Sequence, residues 1–308
     1  MTKKAVLMMA YGTPENIDRM RCYLSDIRGG RPMSDEFVAE FRHRYDLVGG
    51  GTGKGSPLAT LTLDQAKKTS EELQRRGHDW PVYIGMRHWS PWIKDAVAQM
   101  YLHGIEEVSC IVLAPHYSKM SIGKYWQKVE EAQARIGSQI NFSFVDAWYG
   151  QPKFEQAVET HIRQALEDKF APEVRDKVKI IFTAHSLPER LLKMGDPYDD
   201  QLKSNAKAIA ARLGDVDWTF SYQSAADTGE PWLGPQIETA VADLAKEGYQ
   251  HLLIVPIGFV CDHVEILYDI DIEVQEIAKT LNIQVERTES MNSDPVFIEA
   301  IVDAIVAG

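Results

Sequence analysis

In the stretch "CDHVEILYDIDIEVQEIAKTLN" the carboxylates Glu265, Asp269 and Glu273 recur every fourth residue. On a helix they would form one stripe about 80° wide. Leu267, Ile270, Val274, Ile277 and Leu281 fall on a separate, core-facing side. A solvated acidic face is the plain alternative. Like charges at this spacing repel, however, and no lysine interrupts the stripe before Lys279. A row of hard oxygen ligands suits a divalent cation, so the spacing predicts metal contact. His263 lies on the apolar side of the same wheel and reads as structural. His185 directly follows the apolar run "VKIIFTA". A strand's carboxyl end is where parallel sheets place chemistry, so His185 is a candidate ligand or base.

Two further groups could bind a ligand rather than transform it. Tyr11, Trp89, Trp92, Tyr117, Tyr125, Trp126 and Trp232 crowd the same kind of loop and could together wall a site for a flat molecule. Arg28, Arg31, Arg42 and Arg44 could grip carboxylates through forked hydrogen bonds. The loop "LVGGGTGKGSPL" looks at first like a phosphate cradle. It fails as one: Gly55 stands where the hydroxyl should follow Gly53-Lys54, Val48 stands where the first glycine should be, and "DEFVAEFRHRYDL" before it has helical spacing.

The elements that must position these residues alternate. Apolar segments of strand length are "AVLMMAY", "VYIGM", "VSCIVLAP", "NFSFVDA", "VKIIFTA", "WTFSYQ", "LLIVPIGF" and "IQVER", with amphipathic helical stretches between them. Near-continuous apolar strands alternating with helices predict parallel sheets covered on both faces. The chain also echoes itself. Gly104, Val108 and Val112 match Gly248, Leu252 and Pro256 at a constant offset of 144, within segments that share a Pro-Trp opening. "MMAYGTPE" matches "FTAHSLPE" with Tyr11 against His185, an offset of 174. The expected fold class is therefore α/β: two similar, doubly wound, Rossmann-like parallel-sheet domains related by duplication. We place the first at residues 1–117 and the second at 118–293, with a terminal helix at 294–308 packing back on the first. Ligands are expected in an interdomain cleft, beyond the strands' carboxyl ends.

Composition narrows the function. The 308 residues carry a net charge of −12, which disfavours a nucleic-acid partner. Cys22, Cys110 and Cys261 are far apart, which excludes a disulfide framework or a structural cysteine–metal knot and suits a reducing compartment. No stretch approaches a transmembrane length, and the N-terminus lacks a signal-peptide pattern. A cytoplasmic monomer is expected. No G-x-G-x-x-G follows any strand, so no nucleotide cofactor is expected.

Together "GSPL", "AHSLPE", "GEPWLGP" and "GFVCDHVEILYDID" resemble the ferrochelatases, in that family's order and over nearly the whole chain. The resemblance implies a two-domain chelatase-like fold and insertion of ferrous iron into a porphyrin, with iron as substrate. It places the family's cleft histidine on His185, the facing glutamate on Glu265 and the acidic stripe on Asp269 and Glu273. These four are the implied metal contacts, His185 and Glu265 the catalytic pair. Tyr11 matches the aromatic opposite the porphyrin, and Arg28, Arg44 and Ser56 match the propionate rim. His88, Tyr125 and Trp232 match further substrate positions. In this light "GGTGKGSPL" is a lengthened form of the family's "GG-SPL" loop, with Ser56 rather than Lys54 at the matching place. "MAYGTP" is similar to the branch acting on coproporphyrin III, where protoporphyrin-using relatives read nearer "LNLGGP". The chain's end at Gly308, without a cysteine-bearing tail, implies no iron–sulfur cluster. Other haem-pathway enzymes are the implied transient partners. Two readings compete: a related chelatase charging sirohydrochlorin with cobalt or iron, and a porphyrin- or metal-binding protein without turnover.

Overall fold

The computed structural model describes residues 2–307. All eight apolar segments form strands. β1 (Lys4–Ala10), β2 (Val82–Met86), β3 (Glu107–Val112) and β4 (Asn141–Phe144) make a parallel sheet in the order β2-β1-β3-β4. β5 (Lys179–His185), β6 (Trp218–Gln223), β7 (His251–Pro256) and β8 (Gln284–Arg287) make a second with the equivalent order β6-β5-β7-β8. Around the first sheet run α1 (Met20–Ile27), α2 (Asp35–Val48), α3 (Leu58–Arg75), α4 (Ile93–Leu102) and α5 (Ile122–Ile136). The second has α6 (Pro152–Lys169), α7 (Arg190–Lys193), α8 (Tyr198–Leu213) and α9 (Ile237–Lys246). After β7 come α10 (Val264–Leu267), a π-helical segment (Asp269–Val274) and α11 (Gln275–Leu281), and the last helix is α12 (Pro295–Ala307).

Local chemistry accounts for these boundaries. Residues 5–10 of β1 are all buried, as in a strand covered on both faces. Ser34 caps α2 by accepting from the Phe37 amide at 3.1 Å. Gly137 closes α5 at φ 65°, in the left-handed region where a Cβ is unfavourable.

By its contacts the chain divides into two units. One runs to Trp148 and takes in Cys261–Val264 and the stretch from Asn292; the other is Tyr149–Val260 with Glu265–Met291. The first break thus falls after Trp148 rather than after residue 117. The reason is that α5 and β4 complete the first sheet: Val108 pairs with Phe142, and Val129 and Ala132 of α5 share the core with Val108 and Cys110. Trp148 ends the unit by donating from Nε1 to the Val112 carbonyl at 3.0 Å.

The sheet registers reproduce both sequence offsets. Met9 pairs with Val112 in the first sheet and Thr183 with Pro256 in the second, so 174 relates β1 to β5 while 144 relates β3 to β7. Helices α4 and α9 also start 144 residues apart. The Pro-Trp echo, however, is not an equivalence. Pro91 accepts from the Met86 amide at 2.6 Å, and the residue making the corresponding contact is Pro235, which accepts from the Tyr222 amide at 2.8 Å. Backbone pairing, not the shared dipeptide, defines the match.

Candidate active site

Strand order reverses beside β1 in one sheet and beside β5 in the other. Such switch points open a crevice at the carboxyl ends of the strands. Tyr11 follows β1 and His185 ends β5, at equivalent positions in the two units.

In the second unit His185 Nε2 lies 3.5 Å from Glu265 Oε1, with both side chains about one-third exposed. His185 Nδ1 donates to the Ser186 carbonyl, and Tyr198 donates from its hydroxyl to the His185 carbonyl at 3.0 Å. Burial disfavours protonation of the ring. The Glu265 carboxylate, the Ser186 carbonyl and Asp269 outweigh it and raise the His185 pKa to about 9. Glu265 is held from behind by a short chain: Thr183 donates to Gln223 Oε1 at 3.0 Å, and Gln223 Nε2 donates to the Glu265 carbonyl at 2.7 Å. Asp269 is buried and accepts from the Ser224 hydroxyl.

The acidic stripe departs from the expected geometry. Glu273 donates its amide to the Tyr268 carbonyl at 3.0 Å, five residues back, which is π-helical closure. With more than four residues per turn, positions four apart hold nearly the same azimuth. The buried set becomes Ile266, Ile270, Val274 and Ala278, each next to an acidic or polar neighbour, whereas Leu281 is 36% exposed. Asp269 is therefore drawn inward, and Asp271 pairs with Arg287 at 2.8 Å. Among the described residues no three His, Cys, Asp or Glu side chains form a ready metal-holding group. His185 and Glu265 are brought together; Asp269 and Glu273 follow them along the helix.

Trp232 is half-buried, its ring 6.4 Å from that of His185 and its Nε1 donating to Thr228 Oγ1 at 2.9 Å. The two motifs "AHSLPE" and "GEPWLGP" pair as a short antiparallel bridge, Leu233 donating to the Leu187 carbonyl and Glu189 to that of Pro231, each at 2.9 Å.

In the first unit Tyr11 is 40% exposed. The His88 amide donates to its carbonyl at 2.9 Å, and the two rings lie 4.6 Å apart. His88 is itself buried, and its Nδ1 is 2.8 Å from Asp26 Oδ2. Burial lowers the His88 pKa, against the opposing pull of Asp26. Arg87 bridges two aromatics, its guanidinium carbon 6.0 Å from the Tyr11 ring and 5.5 Å from that of Tyr125, which is buried. Arg28, the cap of α1, is exposed with its guanidinium over Phe37 at 5.1 Å. Arg44 pairs with Glu40 at 2.6 Å, and Ser56 is half-buried just before α3. The aromatic group splits. Tyr11 and Trp232 sit beside the histidines, Trp89 packs on Tyr23, and Trp126 stacks with Tyr117 and Phe144 against the core.

A family model described as Ferrochelatase matches residues 3–308. The chain belongs to the ferrochelatase family. Relatives include a ferrochelatase of Herpetosiphon aurantiacus, 45% identical over 99% of both chains, and one of Deinococcus radiodurans, 44% identical over 97% of this chain and 94% of the other. A coproporphyrin III ferrochelatase of Anoxybacillus flavithermus is 39% identical over 99% of this chain and 97% of its own. Among solved structures the chain is similar to SirB from Bacillus subtilis with Fe3+, at a TM-score of 0.61 and 12% identity over 99% of this chain and 95% of that one. That likeness concerns the fold alone.

Ferrochelatases insert a metal into a porphyrin in haem synthesis, and that is this chain's chemistry. Its substrate has two halves, a flat macrocycle bearing carboxylates and a cation. Sequence reasoning named most of the groups now seen at the two switch points. It did not single out Asp26, Arg87, Gln223 and Ser224, which contact those groups by side chain or backbone. Their only sequence signal is adjacency: Arg87 precedes His88, and Gln223 and Ser224 end a strand. Asp26 carries none. No helix among the described residues is long and apolar enough to cross a membrane.

Proposed function

We propose that the chain inserts Fe²⁺ into coproporphyrin III, with His185 and Glu265 as the catalytic pair. The observation that carries this is the His185–Glu265 contact at 3.5 Å, at the end of the central strand beside the switch point. With a pKa near 9, His185 is an imidazolium at neutral pH in the metal-free protein. An imidazolium is neither a ligand nor a base, so the first pyrrole proton goes to the Glu265 carboxylate. Arrival of the cation then displaces the proton from His185, whose nitrogen becomes a ligand, and that proton and the second pyrrole proton pass to water along the carboxylate row. Asp269 and Glu273 extend the carboxylate row along which hydrated cation enters or protons leave.

The macrocycle itself cannot present four lone pairs to a metal while flat, because two pyrrole hydrogens point inward. Tyr11 supplies an aromatic surface against which the ring is bent, and binding of the periphery offsets the strain. For that periphery the first unit offers Arg28, Arg44 and Ser56. Arg28 has no carboxylate partner among the described residues, so its guanidinium is ready for a propionate; Arg44 must exchange Glu40 for one. The likeness of "MAYGTP" to the coproporphyrin III branch favours a tetracarboxylate over a dicarboxylate, and relatives bearing the coproporphyrin name support the same choice.

The test is anaerobic incubation with Fe²⁺ and either coproporphyrin III or protoporphyrin IX, followed by the porphyrin absorption spectrum. Faster insertion into coproporphyrin III, lost in His185→Ala and Glu265→Ala, is the expected result. Preference for protoporphyrin IX would overturn the substrate assignment, and unimpaired variants would overturn the catalytic one.

A further inference from the structure

We propose that Asp26 is a positioning residue for metal insertion, acting through His88 on Tyr11. The inference rests on the substrate-facing role proposed above for Tyr11. His88 is tied to Tyr11 twice, by its amide on the Tyr11 carbonyl at 2.9 Å and by ring contact at 4.6 Å. Any freedom of the imidazole therefore passes to the surface on which the macrocycle is laid. Among the described residues the ring has one charged partner within hydrogen-bond reach, Asp26 in the last turn of α1, at 2.8 Å from Nδ1.

A carboxylate accepts but cannot donate, so it fixes the proton on Nδ1 and leaves the lone pair on Nε2. The ring cannot turn over without burying an unpaired donor, because its side chain is only 8% exposed. A loose surface ion pair would do none of this. Here the imidazole is buried while the carboxylate is 42% exposed.

Partners that orient metal-ligating histidines typically matter about 10–100-fold while touching no substrate, and an effect of that order is expected for a partner that orients His88. Insertion kinetics of Asp26→Ala, Asp26→Asn, His88→Ala and the double variant Asp26→Ala/His88→Ala test the idea, together with ¹⁵N spectra of His88 in the metal-free protein. Asp26→Ala should lower kcat by about tenfold or more with porphyrin KM nearly unchanged. Asp26→Asn keeps an acceptor and should recover most of the rate. The double variant should be no slower than His88→Ala alone, because Asp26 acts only through the ring. The spectra should show the Nδ1-protonated tautomer in the parent and a mixture in Asp26→Ala. Full additivity of the two losses, an unchanged kcat in Asp26→Ala, or an Nε2-protonated parent would each overturn the proposal. If the parent protein inserted no iron, the functional reading itself would fall, whereas the spectra would still decide the Asp26–His88 link.

Discussion

At the metal-free centre one proton is shared in effect by His185 and Glu265. Removing the carboxylate leaves burial as the dominant influence on the ring. In Glu265→Gln the His185 titration, followed by NMR, should therefore move from about 9 to well below that value; a midpoint that stays near 9 would show that Glu265 is not its cause. The sign for stability follows. A folded-state pKa raised above the ordinary 6.5 makes the pair stabilising in full below about pH 6.5, with the gain lost as pH rises through about 9. The same proton must leave before a cation binds His185, so cation uptake should release protons and strengthen with pH over that range.

The elements around the centre are fixed by close approach rather than by propensity. A Cβ on Gly258 would lie 2.5 Å from the Ala184 Cβ and 2.9 Å from its Cα, directly beside His185. The chain leaves β7 there with the Gly258 amide donating to the Thr183 carbonyl at 3.2 Å. Gly258→Ala must push the β7 exit or the end of β5 aside, at a cost of about 1–3 kcal/mol. We expect lower thermal stability and a greater loss of insertion rate; a variant that melts and turns over like the parent would contradict this. The eight strands were legible because buried parallel strands are continuous apolar runs. The π-helical segment was not. Its sequence suits an ordinary helix, and only packing of Ile266, Ile270, Val274 and Ala278 against β7 and α9 selects the wider turn.

For the molecule as a whole, duplication explains why the candidate residues Tyr11 and His185 occupy equivalent strand ends in the two units. One architecture supplies the same strand end twice, and in the reading proposed here one copy holds the macrocycle while the other handles protons and metal. The C-terminal helix is part of the first unit through charge as well as burial. Glu72 on α3 pairs with Arg75 and Arg76, and Arg76 reaches Asp303 on α12. Hydrogen bonding from Arg75, opposed by burial and reinforced by Arg76, lowers the Glu72 pKa to about 2. A depressed carboxyl stabilises fully above its ordinary 4.5, and the gain is lost as pH falls from about 4.5 towards 2. Glu72 is only 12% exposed, so on the order of 2 kcal/mol is at stake. Glu72→Gln should melt earlier at pH 7 and lose its difference from the parent near pH 2; equal melting at pH 7 would refute the clamp.

Sequence by itself determined the fold class and the repeat, because apolar continuity and local motifs are written in neighbouring residues, and the same motifs named the residues we propose as the reacting groups. His185, Glu265 and Tyr11 were candidates for that reason, and the structure places His185 at a strand end beside Glu265 and Tyr11 just beyond another strand end. What tertiary structure alone decided is which groups support them. Asp26 meets His88 across 62 positions, Gln223 reaches Glu265 across 42, and Pro235 rather than Pro231 matches Pro91. Such partners are chosen by distance in the folded chain, where hydrogen bonds must be satisfied regardless of separation along it. The first unit's reach to Trp148 has the same origin: a sheet is completed by whichever strand pairs with its edge, and no local pattern announces which one that is.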